Sequence, residues 1–280
     1  MKGPGKVHVG TSGWHYEGWS GPFYPESLPK KEFLSFYAQH FHTVEINNSF
    51  YRLPEKDTLK SWGGAVPAGF VFSVKASRFI THMKKLKDPR NSLSFFLERV
   101  EVLEDKLGPV LFQLPPRWRF DADRFRCFLE ALPSGHRYAV ELRDRSWQNP
   151  VACEMMKRHG VAFCVYDLAG YRSPEEITAD FVYVRLHGPG VAYCGKYGSP
   201  ALSRWAGLFS GWTGGGRDVY CYFDNDEAGY AVENALSLKA MTESKGNGAG
   251  PAGSNQRLGQ GVRRTAPGRR SEEHRVGKEC

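Results

Sequence analysis

No apolar run in this 280-residue sequence reaches the roughly 18 residues that a membrane-spanning helix requires. The N-terminus shows no signal-peptide pattern, so a cytoplasmic protein with no membrane partner is expected. The six cysteines are Cys127, Cys153, Cys164, Cys194, Cys221 and Cys280, and no two stand as C-x-x-C. That spacing gives no support to a zinc-finger or redox motif, and a reducing compartment fits best. No G-x-G-x-x-G follows the first β-like run, which counts against a dinucleotide-binding fold. Neither His82 nor His187 stands in an H-x-H or H-E-x-x-H, so they gain no metal motif from their neighbours. There is no solenoid-type repeat.

What is present suits one globular domain with an extension. Hydrophobic residues make up 41% and charged residues 24%. One eight-stranded α/β barrel takes about 250 residues. Apolar periodicity stops at Thr242, where runs such as GNGAGPAGSNQRLGQG begin. Such composition cannot bury enough apolar surface to offset its ordering entropy. Residues 1–241 therefore read as the folded domain and 242–280 as a disordered basic tail. The tail supplies +4 of the formal +8 charge, so the basic balance is partly its property. Its last eleven residues, RSEEHRVGKEC, look like a translated sequencing adapter, which would remove Cys280 from consideration.

Eight short β-like runs can be marked: Val7–Ser12, Thr43–Asn47, Phe70–Lys75, Pro109–Leu114, Tyr138–Arg143, Val161–Asp167, Phe181–His187 and Asp218–Asp224. Helical patterns fall between them at Lys30–Phe41, Ser92–Lys106, Asp123–Leu132, Pro150–His159 and Leu202–Gly211, and Glu227–Ala240 closes the series. Strands alternating with helices imply a parallel sheet, and eight units imply closure. The expected fold is α/β, a single TIM-type (β/α)8 barrel.

A barrel strand shows one face to the helices and the other to the lumen, with period two. In Phe181–His187 the apolar set is Val182, Val184 and Leu186, which leaves Phe181, Tyr183, Arg185 and His187 inward. The same test turns Glu45, Asn47, Ser73, Lys75, Gln113, Glu141, Arg143, Tyr220, Tyr222 and Asp224 inward. Asp167 keeps register with Val161, Phe163 and Val165, and it can also be read as the start of a loop. The inward polar groups gather toward the C-terminal strand ends, where barrel enzymes place their chemistry. Lumen ion pairs such as Glu141 with Arg185 are the bland account of the same pattern.

The loops after the strands carry Trp14, Tyr16, Trp19 and Phe23; Phe50, Tyr51 and Arg52; His82, Lys84 and Lys85; Trp147; Tyr193, Lys196 and Tyr197; and DNDEAG with Asn225. Aromatic faces beside a few polar groups suit sugar rings or nucleobases. A lid packed on its own aromatics would look the same. The glycine-rich HGPG loop stands where barrels often bind phosphate.

The runs VGTSGW (9–14), VEINNSFYRLP (44–54), FSVKASRFITHMKKL (72–86), LGPVLFQLPP (107–116), YAVELRDRSW (138–147), TADFVYVRLHGP (178–189) and VYCYFDNDEAGYAVENA (219–235) resemble the YecE-like family, a domain-of-unknown-function family with a TIM-barrel fold. The resemblance implies the barrel and a shared mouth and brings no reaction. The sequence departs from the family's Y-F-N-N-D pattern at Asp224, so the resemblance gives that carboxylate no acid–base role.

The residues favour an enzyme acting on a small anionic or polyhydroxylated substrate, phosphosugar-like or nucleotide-like. Glu45 and Glu141 are the candidate acid and base, with Asp167 and His187 beside them. Lys75, Arg143 and Arg185 would hold anionic oxygens. Asn47, Gln113, Tyr51, Trp147, Tyr193, Tyr197, Tyr222, Asp224 and Asn225 complete the expected binding set. A divalent metal held by Glu45, Glu141 and Asp167 stays an open option that their spacing does not indicate, and neither a cofactor nor an oligomeric state is specified. Two alternatives remain open: a nucleic-acid-binding or nucleic-acid-processing protein, from the basic and aromatic mouth, and a non-catalytic ligand-binding barrel.

Overall fold

The computed structural model describes residues 3–246. Eight parallel strands form a nearly closed barrel: β1 (Val7–Thr11), β2 (Thr43–Ile46), β3 (Val71–Lys75), β4 (Leu107–Gln113), β5 (Tyr138–Glu141), β6 (Ala162–Leu168), β8 (Phe181–Leu186) and β9 (Asp218–Phe223). All eight coincide with the expected runs to within two residues at either end. Strand β7 (Tyr171–Arg172) is an antiparallel addition to β6 that no periodicity announces.

The helices are α1 (Phe33–His40), α2 (Lys56–Gly64), α3 (Pro89–Val100), α4 (Ala122–Glu130), α5 (Pro150–Arg158), α6 (Ser199–Gly214) and α7 (Tyr230–Gly246). Helix α2 has no strong sequence pattern, since its run KDTLKSWGG ends in two glycines. The expected helix Ser92–Lys106 is α-helical only to Val100 and finishes as a 3-10 turn, Glu101–Lys106. Helix α5 starts where expected because Pro150 fits the first turn and the Asn149 side chain accepts the Ala152 N–H. Helix α7 runs on through Thr242 to Gly246. The rest of the expected tail, with the adapter-like end, lies outside the described residues.

Hydrogen bonding runs unbroken from β1 through β9, β8, β6, β5, β4 and β3 to β2. At the remaining seam β1 meets β2 through a single bridge, Ser12 with Glu45. Gly10 allows that approach, because a Cβ there would lie 2.3 Å from the Thr43 carbonyl oxygen. The Tyr37 hydroxyl of α1 completes the seam, accepting the Thr11 N–H at 3.0 Å and donating to the Thr43 carbonyl at 3.1 Å.

Alternation along the strands separates two apolar layers. Val44, Ile46, Phe72, Val74, Val140, Val182, Val184 and Leu186 join the core between barrel and helices. Leu111, Ala139, Cys164, Phe181, Tyr183, Tyr220 and Tyr222 form a second cluster inside the lumen. The lumen is thus filled by large side chains up to its C-terminal end, where the charged residues begin. None of the described helices is long and apolar enough to cross a membrane, and the five described cysteines are free thiols.

Candidate functional site

The alternation that sends Val184 and Leu186 outward sends Arg185 into the lumen, where it is fully buried. Its guanidinium holds three carboxylates. Nε and Nη2 donate to the two oxygens of Glu45 at 3.0 and 2.7 Å. Nη1 donates to Glu141 Oε2 at 2.9 Å, and Nη2 also reaches Asp224 Oδ2 at 3.0 Å. Glu45 further accepts from the Ser12 and Tyr183 hydroxyls. The second oxygen of Glu141 accepts from Arg143 Nε. The His187 ring spans the remaining gap, with Nδ1 at 3.0 Å from Asp224 and Nε2 at 3.1 Å from Arg143 Nη2. Nε2 also stands 3.2 Å from Glu141 Oε1, so the ring bridges the Asp224 and Glu141 carboxylates.

The electrostatics follow from this packing. Burial pushes the Glu141 carboxyl up, but Arg143, Arg185 and His187 outweigh it and hold Glu141 well below the usual range. The same opposition, burial against Arg185 and the His187 hydrogen bond, brings Asp224 down to about 2. Glu45 and Glu141 are both fully buried, and all their oxygens face donors. A proton transfer by either carboxylate would first have to break bonds to Arg185.

Beside this network an open cavity of about 530 Å³ is lined by Lys75, Arg78, His82, Gln113, Phe50, Tyr51, Met83 and Tyr193, with no acidic residue among them. Lys75, from the end of β3, is 7% exposed. Its ammonium lies 4.4 Å above the Phe50 ring, and among the described residues it has neither an ion pair nor a side-chain hydrogen bond. Burial, reinforced by Arg185, lowers Lys75 to about 8 despite the carboxylates beyond. His82 is also lowered, by burial and then by Lys75, Arg143 and Arg78. Its ring meets Phe50 edge-on at 4.9 Å.

The other expected site residues divide. Gln113, Tyr51 and Tyr193 line the cavity, and the Tyr193 ring stands 5.5 Å from His187. Asn47 lies at a neighbouring cavity. Asp167 keeps register with the outward set, 3.7 Å from Arg172, and does not touch the Arg185 network through its side chain. Trp147 is fully buried among Trp118, Phe120 and Phe125 and donates to the Trp118 carbonyl. Tyr197 is buried against Phe223, its hydroxyl taken by the Gly188 N–H. Tyr222 is locked in the lumen between the Thr43 and Ser73 hydroxyls at 2.7 Å each. Asn225 is buried and braces the loops through Gly195 and Asn234. These last four are buried and bonded or packed within the protein.

In the HGPG loop the Gly188 N–H is taken by the Tyr197 hydroxyl. Gly188 has φ of +115° in a turn so tight that a Cβ would meet the Cys194 carbonyl oxygen at 2.4 Å. Strand alternation says nothing about Arg78 and His82, which lie in a loop; a π-helical turn, Phe79–Met83, carries His82 to the cavity. Among the described residues no group of three or more His, Cys, Asp or Glu is placed to hold a metal ion.

Comparison with known proteins agrees with this architecture. Residues 8–257 match the family model described as "Protein of unknown function DUF72". The UPF0759 protein YunF of Bacillus subtilis is 25% identical over 88% of this chain and 98% of its own length. The UPF0759 protein YecE of Escherichia coli K12 is 32% identical over 39% of this chain and 41% of its own. The crystal structure of a DUF72 family protein from Thermotoga maritima superposes with a TM-score of 0.76 at 30% identity, covering 85% of this chain and 99% of that one.

Proposed function

We propose that this chain, which belongs to the DUF72 family, is an enzyme that binds a small anionic substrate in the Lys75 cavity and acts on it by acid–base chemistry. One observation carries the reading: the Lys75 side chain is largely buried at the C-terminal end of a barrel strand, its ammonium opens on a cavity without acidic lining, and it has no carboxylate partner among the described residues. An unpaired buried charge is costly, and a bound anion is the natural compensation. Arg78 and Gln113 stand ready as further donors.

The acid–base role moves from the sealed carboxylates to the cavity. A lysine lowered to about 8 is protonated at neutral pH yet gives up its proton readily, which suits a general acid. His82, lowered and held by the Thr81 hydroxyl at Nδ1, suits the complementary base. The Arg185 network fixes the floor beneath them and positions Arg143. Calorimetric titration with inorganic phosphate and ribose 5-phosphate tests the binding half of the reading. Affinity should fall as pH rises through about 8, where Lys75 loses its charge, and should drop about tenfold or more in Lys75→Met, the worth of one charge-assisted hydrogen bond. Equal affinity in that variant would sink the reading.

A further inference from the structure

The second cavity, of about 630 Å³, lies on the other side of the turn that follows β2. That 3-10 turn, Asn48–Phe50, serves both hollows. Phe50 faces the Lys75 cavity, Asn47 and Asn48 face the second, and Tyr51, which is 68% exposed, lines both. The two cavities are therefore neighbours that share one aromatic side chain.

Their chemistry differs. The second cavity has walls of Trp14, Tyr16 and Trp62, with Trp14 and Trp62 edge to face at 4.8 Å. No acidic residue lines it, and Lys30 and Lys31 stand among its residues. Asn47 Oδ1 is buried without a hydrogen-bond partner, so the protein itself does not use this acceptor. An amide beside aromatic walls, turned so that its unpartnered oxygen meets the cavity, suits a flat heterocycle, since an amide pairs side by side with a ring edge that offers a donor next to an acceptor. Sugars alone would meet few polar groups here.

We infer that the two cavities form one bipartite site, in which a planar nitrogen heterocycle occupies the Trp14–Trp62–Asn47 cavity and a phosphate joined to it reaches Lys75 past Tyr51. The ligand class is a mononucleotide. The inference rests on the Lys75 cavity as the anion-holding end and adds to it a ring-binding end. Tyr51 lines both hollows, so a ligand that joins them would cross its exposed ring.

Titration of the full chain with ribose 5-phosphate, AMP and adenosine tests this. AMP should bind at least about tenfold tighter than ribose 5-phosphate, the increment that stacking one base supplies. Trp62→Ala and Asn47→Ala should bring AMP to the affinity of ribose 5-phosphate and leave ribose 5-phosphate binding unchanged. Asn47→Ala removes no packing ring and stands in if Trp62→Ala misfolds. If ribose 5-phosphate binds and AMP binds no better, the ring-binding end is wrong and the anion site stands. If neither phosphate compound binds, the anion site fails and the bipartite site fails with it. Indole quenching by adenosine then separates the ends: quenching lost in Trp62→Ala retains the ring cavity, and no quenching in the unaltered protein removes that too.

Discussion

Arg185 and Lys75 lie at the same end of the barrel, and both cationic side chains are largely buried. Arg185 donates to Glu45, Glu141, Asp224 and Ser12, whereas Lys75 donates to no side chain among the described residues and faces an open cavity. Buried charge is tolerable when its hydrogen bonds are saturated and costly when they are not. The saturated cluster is accordingly an internal brace that ties β2, β5, β8 and the end of β9 together. The unsaturated lysine is a position where stability is given up, which is where binding and catalysis are to be sought.

The sharpest way to break that comparison is to remove the hub. Arg185→Leu would leave Glu141 with Arg143, Asp224 with His187, and Glu45 buried with hydroxyl donors only. Breaking a buried ion pair on one side costs about 3–5 kcal/mol, and three pairs share this partner. Urea denaturation should show a loss at or above that range, or no folded protein. A loss below about 1 kcal/mol would mean that Arg185 is no brace, since a surface pair is worth as little.

Glu141→Gln comes next. It removes the charge that Arg143 and Arg185 share and leaves both guanidiniums facing an amide. A loss of about 3 kcal/mol is expected from the same unpaired-charge penalty. A neutral or stabilised Glu141→Gln would instead mark Glu141 as a strained active-site group and restore it as a catalytic candidate.

How much of this is legible in the sequence depends on whether a residue lies on a strand. Period two places Glu45, Glu141 and Arg185 on the inward face, because a one-residue slip would put Val184 and Leu186 in the lumen. The same period sets Asp167 with Phe163 and Val165 on the outward face, and the structure leaves it there, beside Arg172. Saturation is not legible, since it depends on distances among positions 45, 141, 185 and 224 across the barrel. Trp147 and Tyr197 resemble ligand platforms because an aromatic in a loop reads the same whether it faces solvent or packs on its neighbours. Arg78 and His82 reach the cavity at a π-helical turn for which the sequence offers no period.

Acidification should weaken the brace in a defined window. Asp224 is lowered from 3.8 to about 2, and Glu141 is lowered as well. A carboxyl whose folded value lies below its unfolded one stabilises above the unfolded value and loses that contribution as pH falls through the folded one. Unfolding free energy should therefore decline from about pH 5 toward pH 2, with Asp224 accounting for about 2 kcal/mol of it. Asp224→Asn should flatten the curve over that range by a similar amount. An unchanged acid limb in Asp224→Asn would show that this carboxylate is not coupled to Arg185 in solution.

Lys75→Met is the smallest and most discriminating change, because the comparison predicts the opposite sign from Arg185→Leu. Methionine keeps the apolar stem against Phe50 and removes the unpaired ammonium. At pH 7 the variant should be as stable as the unaltered protein or more stable by about 1 kcal/mol, as substitutions that relieve strain at functional sites are. The pH dependence identifies the cause. Lys75 is lowered from 10.5 to about 8, so below pH 8 both folded and unfolded chains carry its proton and the whole burial penalty applies. Between pH 8 and 10.5 the folded chain has released the proton while the unfolded chain still holds it, so the penalty shrinks as pH rises. The stability difference should move in favour of the unaltered protein by about 3 kcal/mol over that interval, cancelling and then reversing any advantage of Lys75→Met. Paired urea titrations at about pH 7, 9 and 10 measure it as a difference, which cancels the ionisation of tyrosines common to both proteins. A variant destabilised by several kcal/mol at pH 7 would make Lys75 a second brace, with the carboxylates beyond Arg185 as its partners.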